Sequence, residues 1–270
     1  MSKMRFTTVE GVTLHYMLDG LEEGLALVFI NSLGSDLRIW NEVVPHFADR
    51  FRIVRYDKRG HGLSDAPQGP YSMRDHADDL GGLLAHLGVD EAVLIGLSVG
   101  GMIALDYTIS PSTSSGCDYP RIRGLVLCDT AAKIGTVAYW DERIQAIRQN
   151  GMAPLAEPIL SRWFSPAFIE QRPADYRGYH NMLTRTPLEG YAGTCEAIRD
   201  ADLREGVGKI RVKSLVLCGS EDLATTPELV RGLADSLSDA RFELVEGAAH
   251  LPCIEQPARM AQKIEQFLAV

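Results

Sequence analysis

One serine lies in a short pattern that suits a catalytic nucleophile. Gly96 to Gly100 reads GLSVG and fits the G-x-S-x-G pattern, with the apolar run AVLI before it and the helix-like run MIALDY after it. Small residues around a serine permit a sharp strand-to-helix turn that holds the hydroxyl outward at the end of the strand. The bare pattern is weak, but the flanking runs strengthen it, so we expect Ser98 to be a nucleophile.

A serine hydroxyl is a poor nucleophile until a base accepts its proton, and His250 is the histidine that best suits this task. It follows the apolar run FELV and precedes the amphipathic segment PARMAQKIEQFL. A loop between such a strand and helix can reach back over Ser98. His61, in YDKRGHGLSD, is the serious rival, although that segment is better explained as a structural loop with local hydrogen bonds.

Two aspartates can orient the histidine, and each follows a strand-like run. Asp129 lies in LVLCDTAA and Asp222 in LVLCGSEDLATTP. We favour Asp222, because it follows the last strand before the histidine strand and its loop leads into Thr226-Pro227-Glu228, a well-marked helix start. Its role is to hold the imidazole tautomer and to offset the transient positive charge of the ring.

Two backbone amides are candidates for binding the negative oxygen that forms during acyl transfer. The amide of Val99 is expected at the N-terminus of the helix that follows the serine, where the helix dipole favours negative charge. The second donor is expected in NSLGS, and we select the amide of Leu33. Ser32 offers its hydroxyl as an alternative, and the stretch is otherwise only a glycine-containing turn.

The elements around these residues alternate between strands and helices. LALVFI, FRIVRY, AVLIGL, IRGLVLC and VKSLVLC are continuous apolar runs, typical of buried parallel strands, and VTLHYML suits an antiparallel strand. Helical patterns cover 73–87 and 99–109. The alternation predicts an α/β fold with a mostly parallel sheet of about eight strands flanked by helices.

A run of helix-like segments interrupts this alternation. We predict a helical cap at 133–206, inserted between core segments 1–132 and 207–270. Within it, Ser165 before a proline reads as a helix N-cap, and Thr186 to Glu189 reads as a capping box. The polar segment from Ser110 to Pro120 is expected to be a surface loop.

Composition and charge exclude several classes of protein. The 270 residues carry a formal net charge of −9, which disfavours nucleic acid and anionic membranes as partners. We find no signal peptide and no transmembrane segment, so we expect a cytoplasmic protein. The five cysteines are widely spaced, which argues against a disulfide scaffold or a metal site, and nothing calls for a cofactor.

With these residues assigned, the chain resembles an α/β-hydrolase over nearly all its length. FINSLGSDLRIW, YDKRGHGLSD, GLSVGG, GSEDLATTP and GAAHLPCIEQP carry the likeness. NSLGSDLRIW, LCDTAAKIG, LSRWF and GYAGTCEAIRDADLRE resemble 3-oxoadipate enol-lactonases more narrowly. The family often has asparagine where this chain has Asp129, which is either an extra carboxylate near the site or the cap of a loop.

The resemblance implies a cofactor-free hydrolase that opens a small anionic lactone to 3-oxoadipate. It gives Ser98 as nucleophile, Asp222 as acid and His250 as base. The substrate carboxylate then needs a cation, for which the candidates are Arg38, Arg143, Arg162 and Arg185. Trp140 and Trp163 are candidate apolar walls, and we select Ser32, Trp140 and Arg143 as substrate-binding residues.

Other functions remain open at this point. The same residues suit a hydrolase of another lactone or ester, or a perhydrolase, because the fold does not determine the substrate. A ligand receptor on a hydrolase scaffold is a reading from another class. A dehalogenase or epoxide hydrolase is disfavoured, because those reactions generally use a carboxylate where this chain has Ser98.

Overall fold

The computed structural model describes residues 3–110 and 120–269. The predicted surface loop at Ser110 to Pro120 therefore lies outside the described residues, except for its two ends. The described residues form eight strands, numbered in chain order: Lys3–Val9 (β1), Val12–Gly20 (β2), Ala26–Ile30 (β3), Arg52–Tyr56 (β4), Glu91–Leu97 (β5), Arg121–Cys128 (β6), Ser214–Gly219 (β7) and Ala240–Val245 (β8).

These strands form one sheet in the order β1-β2-β4-β3-β5-β6-β7-β8. The β1–β2 and β2–β4 pairs are antiparallel, and every pair from β4 to β8 is parallel. The prediction of a mostly parallel sheet of about eight strands is confirmed. All five residues of β3 are buried, which explains why the central strands read as continuous apolar runs.

The helices of the described residues, again in chain order, are Met73–His86 (α1), Val99–Ile109 (α2), Val137–Asn150 (α3), Ala156–Trp163 (α4), Pro166–Gln171 (α5), Pro173–Thr184 (α6), Leu188–Asp200 (α7), Arg204–Val207 (α8), Pro227–Ser236 (α9), Pro252–Glu255 (α10) and Pro257–Leu268 (α11). Helices α1 and α2 pack on each other, α2 packs on β5 and β6, and α9 packs on β7 and β8. No helix within the described ranges has the length and apolar character needed to cross a membrane.

Six helices, α3 to α8, lie between β6 and β7, and we call them the cap helices. The division of the chain into 1–132, 133–206 and 207–270 stays a prediction. The N-cap at Ser165 is present, since its side chain accepts a hydrogen bond from the Phe168 amide at 3.2 Å. The prediction of a capping box at Thr186 to Glu189 is wrong. Helix α7 has Pro187 as its N-cap, and the Thr186 hydroxyl instead donates to the carbonyl of Gly34 at 3.3 Å.

Helix α7 approaches the core so closely that two backbones touch. A Cβ atom added to Gly190 in α7 would overlap the backbone of Gly60, in the loop after β4, and a Cβ on Gly60 would overlap Gly190. Glycine is therefore required on both sides of this contact. It joins the cap helices to the loop that follows β4.

We expect Gly190→Ala to lower the free energy of unfolding by about 1–3 kcal/mol, because the new methyl group forces α7 away from the core. Gly178→Ala in α6 is the control. Nothing lies within 4 Å of a Cβ there, so the better helix former should raise stability by about 0.5–1 kcal/mol. Urea unfolding measures both variants, and equal effects would contradict the close contact.

Candidate active site

Ser98 occupies a strained turn between β5 and α2. Its backbone has φ 58° and ψ −120°, a conformation that non-glycine residues rarely adopt. Its amide donates to the Cys128 carbonyl at 2.8 Å, and its carbonyl accepts the Thr130 hydroxyl at 2.7 Å. A Cβ on Gly96 would overlap the backbone of Gly100. The glycines of the GLSVG pattern therefore allow the sharp turn that turns Ser98 out of the sheet.

Ser98 and His250 line the same cavity. The Ser98 hydroxyl makes no hydrogen bond to another described residue, and His250 is buried. Hydrogen bonds between a nucleophile and its base are often long or misaligned before a substrate binds. The two residues therefore border one space, as a nucleophile and its base require.

Asp222 fixes the orientation of the His250 ring through its Nδ1 atom. Its Oδ2 atom lies 2.8 Å from Nδ1 of the histidine and accepts the hydroxyl of Thr225 at 2.7 Å. Its Oδ1 atom accepts the amides of Ala224 at 2.7 Å and of Thr225 at 3.1 Å. The carboxylate is therefore fixed in one orientation, and it leaves Nε2 as the ring nitrogen that can accept a proton.

Four donors keep Asp222 ionised. Burial alone would raise the pKa of this carboxyl, but the charge and hydrogen bond of His250 and the hydrogen bonds of Thr225 and Ala224 outweigh it and lower the pKa below its usual range. A carboxylate in this state stabilises the positive charge that His250 gains when it accepts a proton.

Asp129, the other candidate acid, lies beside Asp222 and is wholly buried. Its Oδ1 atom accepts the Gly219 amide at 2.7 Å, and its Oδ2 atom has no hydrogen-bond partner. Asp129, Cys218 and Asp222 bring three potential metal-ligand atoms within 4.8 Å of one another. These atoms suit a metal poorly, because both oxygens of Asp222 are already occupied by hydrogen bonds.

The loop after β3 places Leu33 at the cavity that Ser98 lines. The amide of Leu33 donates no hydrogen bond to another described residue. The amide of Val99 is the first of α2, and helix geometry gives such a group no partner within the helix. Ser32 also lines the cavity. Leu33 therefore lines the same cavity as Ser98, and Val99 follows Ser98 directly in the chain.

Two buried side chains from YDKRGHGLSD hold this loop in its conformation. Lys58 donates from Nζ to the Ser32 carbonyl at 2.6 Å, and Nε2 of His61 accepts the Gly34 amide at 2.9 Å. Burial and the charge of Lys58 hold the pKa of His61 well below its ordinary value. Because its Nε2 is occupied, His61 is engaged in supporting the loop.

The cavity has a volume of about 330 Å³ and mostly apolar walls. Trp140 and Arg143 from α3 and Trp163 from α4 line it, while their role in binding substrate stays a prediction. The remaining lining residues are Ile134, Gly135, Thr136, Tyr139, Ile159, Arg162, Tyr191, Ile198, Ala224 and Thr225. A small ligand with an apolar body and a few polar groups suits this space.

Two arginines on the cavity wall lack a carboxylate partner among the described residues. Arg143 donates to the hydroxyls of Tyr139 and, at 3.5 Å, of Tyr191. Arg162 donates to Tyr139 at 2.8 Å and to the Leu223 carbonyl at 2.9 Å. All of these acceptors are neutral, so the wall keeps an uncompensated positive charge that favours an anionic ligand.

The other two candidate arginines lie elsewhere. Arg38 forms a bidentate pair with Asp36, and it lines a second cavity together with Arg185. Neither lines the cavity of Ser98 and His250. Tyr139 was not among the predicted substrate-binding residues, although Tyr139 and Arg143 are four residues apart and therefore share a face of α3. The sequence contains no signal for the role of Lys58 in supporting the loop, because its burial is visible only in the structure.

Comparisons with known proteins agree with this architecture. A family model described as the alpha/beta hydrolase fold matches residues 26–257. The 3-oxoadipate enol-lactonases 2 and 1 of Acinetobacter baylyi are 34% and 32% identical, over 97% of this chain and 95% of each relative. The crystal structure of the enol-lactonase from Burkholderia xenovorans is 36% identical, with a TM-score of 0.92 over 98% of this chain and 100% of that one.

We predict different effects on catalysis for substitutions of the two aspartates. We expect Asp222→Asn to lower kcat by about 10³–10⁴-fold, because the amide favours the wrong tautomer of His250. Asp129→Asn should cost far less, because Asp129 makes no hydrogen bond to the ring. Hydrolysis of p-nitrophenyl acetate measures both variants, with circular dichroism as the check on folding. A larger loss for Asp129→Asn would reverse the assignment of the acid.

Proposed function

Because the chain belongs to the α/β-hydrolase family, we propose that it is a serine hydrolase that opens 3-oxoadipate enol-lactone to 3-oxoadipate. Full-length similarity to 3-oxoadipate enol-lactonases supports this substrate, in agreement with the resemblance read from the sequence motifs. The observation that carries the proposal is the largely apolar cavity that Arg143 and Arg162 line together with Ser98 and His250, where no acid of the described residues neutralises the two arginines.

In the proposed reaction, Ser98 attacks the ring carbonyl of the lactone while Nε2 of His250 accepts the hydroxyl proton. The oxygen of the tetrahedral intermediate is stabilised by the amides of Leu33 and Val99. Asp222 keeps the other ring nitrogen protonated and offsets the charge of the imidazolium. A water activated by His250 then releases the acyl group.

The leaving group makes the ring opening effectively one-way. The departing ring oxygen is an enol, which takes the proton from His250 and remains tethered to the acyl chain. Its conversion to the ketone removes the nucleophile that would close the ring again. The protein therefore needs no separate site to remove the leaving group before water attacks.

The substrate carboxylate would bind Arg143 and Arg162. The Tyr139 hydroxyl accepts hydrogen bonds from both guanidinium groups and so holds them side by side. Trp140 and Trp163 provide apolar walls for the ring. This local charge offsets the repulsion that the net charge of −9 exerts on an anionic substrate.

The direct test is a spectrophotometric assay with freshly generated 3-oxoadipate enol-lactone beside p-nitrophenyl acetate. We expect turnover of the lactone at about ten per second. Ser98→Ala should lower kcat by at least about 10⁴-fold on both substrates, because the covalent step is lost. Mass spectrometry after treatment with a fluorophosphonate should show one adduct in the wild type and none in Ser98→Ala.

The outcomes separate the parts of the proposal. Efficient hydrolysis of the simple ester without turnover of the lactone would refute the substrate and keep the serine mechanism. Tight binding of a lactone with only a few slow cycles would instead indicate a receptor. Labelling of Ser98→Ala at the wild-type rate would exclude Ser98 as the nucleophile.

The charged wall predicts a substrate-specific defect. Arg143→Met should raise KM for the lactone by about 10–100-fold, because a charge-assisted hydrogen bond to the carboxylate is lost. The kcat/KM for p-nitrophenyl acetate, which has no carboxylate, should change by less than about threefold by the same reasoning. Steady-state kinetics with both substrates measure the difference.

Arg177→Met is the matched control, because Arg177 is exposed on α6 and does not line the cavity. It removes the same charge from the cap helices, so it should leave both substrates unaffected. Equal losses on the neutral and the anionic substrate in Arg143→Met would indicate a structural role for Arg143.

A further inference from the structure

Asp129 is a buried carboxyl group that the proposed mechanism does not use. It follows β6 directly and has φ 49°, in the left-handed region that aspartate and asparagine tolerate best among residues with side chains. Its side chain is fully buried, with Oδ1 accepting the Gly219 amide and Oδ2 lacking a partner. A buried oxygen without a donor is costly if the group is ionised.

The surroundings of Asp129 contain acids and thiols. The groups that face it are Asp222 from the loop after β7, Cys218 from β7, Cys128 from β6 and Cys253 from α10, with His250 on the far side of Asp222. Asp129 forms no ion pair with a lysine or arginine in the described part of the chain. Nothing positive therefore compensates a charge on its carboxyl group directly.

Two carboxyl groups that share a buried space do not ionise together at neutral pH. Asp222 has four hydrogen-bond contacts to its oxygens, from Ala224, Thr225 and His250, whereas Asp129 has one, from Gly219. The negative charge is therefore stabilised on Asp222, and the shared proton belongs on Asp129. Burial and the charge of Asp222 raise the pKa of Asp129 well above its ordinary value, and they outweigh the opposite effects of the Gly219 amide and the Cys218 thiol.

We propose that Asp129 is protonated in the active enzyme and donates a hydrogen bond from Oδ2 to the carboxylate of Asp222, as a positioning residue of the catalytic site. The statement about catalysis rests on the proposed role of Asp222. The statement about the proton rests only on the burial and contacts of the two carboxyl groups.

The hydrogen bond has two consequences for His250. It adds a further hydrogen bond to Asp222, so the carboxylate keeps the orientation that binds Nδ1 of His250. It also draws negative charge away from that contact, so the ring faces less negative charge than an unshared carboxylate would present.

Asparagine reproduces the proposed state without a titratable proton. In Asp129→Asn, Oδ1 accepts the Gly219 amide and the amide nitrogen donates to Asp222, and asparagine suits the positive φ. Between the ordinary pKa of a carboxyl and the raised pKa of Asp129, the native wild type binds one proton more than its unfolded chain. Wild-type stability therefore falls as pH rises through this range, relative to the variant.

The test is urea unfolding of the wild type and of Asp129→Asn from pH 5 to pH 7. The unfolding equilibrium constant of the wild type, divided by that of Asp129→Asn, should rise by about tenfold per pH unit, which corresponds to one proton. A ratio independent of pH would show that Asp129 is ionised in the native state, and it would overturn the proposal. This measurement needs no catalytic activity, so it stands even if the proposed substrate or nucleophile is wrong.

Kinetics test the link to His250. In Asp129→Ala the donor to Asp222 is lost, so kcat should fall about tenfold below that of Asp129→Asn, in line with a hydrogen bond to a charged group. The acidic limb of the kcat/KM profile on p-nitrophenyl acetate should move to higher pH in Asp129→Ala and not in Asp129→Asn. If the acidic limb of the profile keeps its position in both variants, Asp129 has a purely structural role and the positioning role is refuted.

Two controls keep the results interpretable. If Asp129→Ala does not fold, the unfolding comparison with Asp129→Asn still decides where the proton lies. If Asp222→Asn retains full activity, the proposed acid is wrong, while the pH dependence of stability still reports on Asp129. Failure of the proposed function and failure of this inference therefore give different results.

Discussion

The parallel register of the strands β5 to β8 is the constraint on which the site depends. Leu97 pairs with Cys128, Cys128 with Leu217, and Gly219 with Val245, so these strands end at one edge of the sheet. Ser98, Asp129, Asp222 and His250 follow the ends of these strands by one to five residues, so the strand pairing places all four at the same edge of the sheet. The amide of Ser98 continues this pattern by donating to the Cys128 carbonyl. A shift of one strand by one residue in its register would separate the candidate base from its acid, because successive side chains point to opposite faces of the sheet.

The cap helices complete the site from the other side and are coupled to the same loops. Arg162 donates to the carbonyls of Leu223 and Ala224, directly after Asp222, while it also bonds Tyr139 on the cavity wall. Thr186 donates to Gly34 in the loop that carries the Leu33 amide. The groups proposed to bind substrate are therefore connected by hydrogen bonds to those proposed to transform it.

The sequence predicted what depends on local signals and chain order. Strands, helices, the serine turn and the helix that follows it all have recognisable patterns of apolar and small residues, and the place of Asp222 after the last strand before the histidine strand favoured it over Asp129. Contacts between segments far apart in the chain had no such signal. Thr186 matched a capping box in sequence, but its hydroxyl donates to Gly34 and Met182. Arg143 and Arg38 likewise looked equivalent until the structure paired Arg38 with Asp36.

The buried Lys58 side chain fixes the conformation of the turn around Ser32, which a solvent-exposed loop would not have fixed in this way. Burial lowers its pKa well below the ordinary value, and its amino group is directed at a carbonyl rather than at a carboxylate. Three hydrogen bonds anchor this segment. Lys58 donates to the Ser32 carbonyl, and Nε2 of His61 accepts the Gly34 amide. A carboxylate oxygen of Asp57 accepts the Leu37 amide at 2.8 Å. The loop that carries the proposed oxyanion donor Leu33 is therefore held in one conformation by the fold itself. For the proposed reaction, the free energy of aligning that donor would be supplied during folding and not during each turnover.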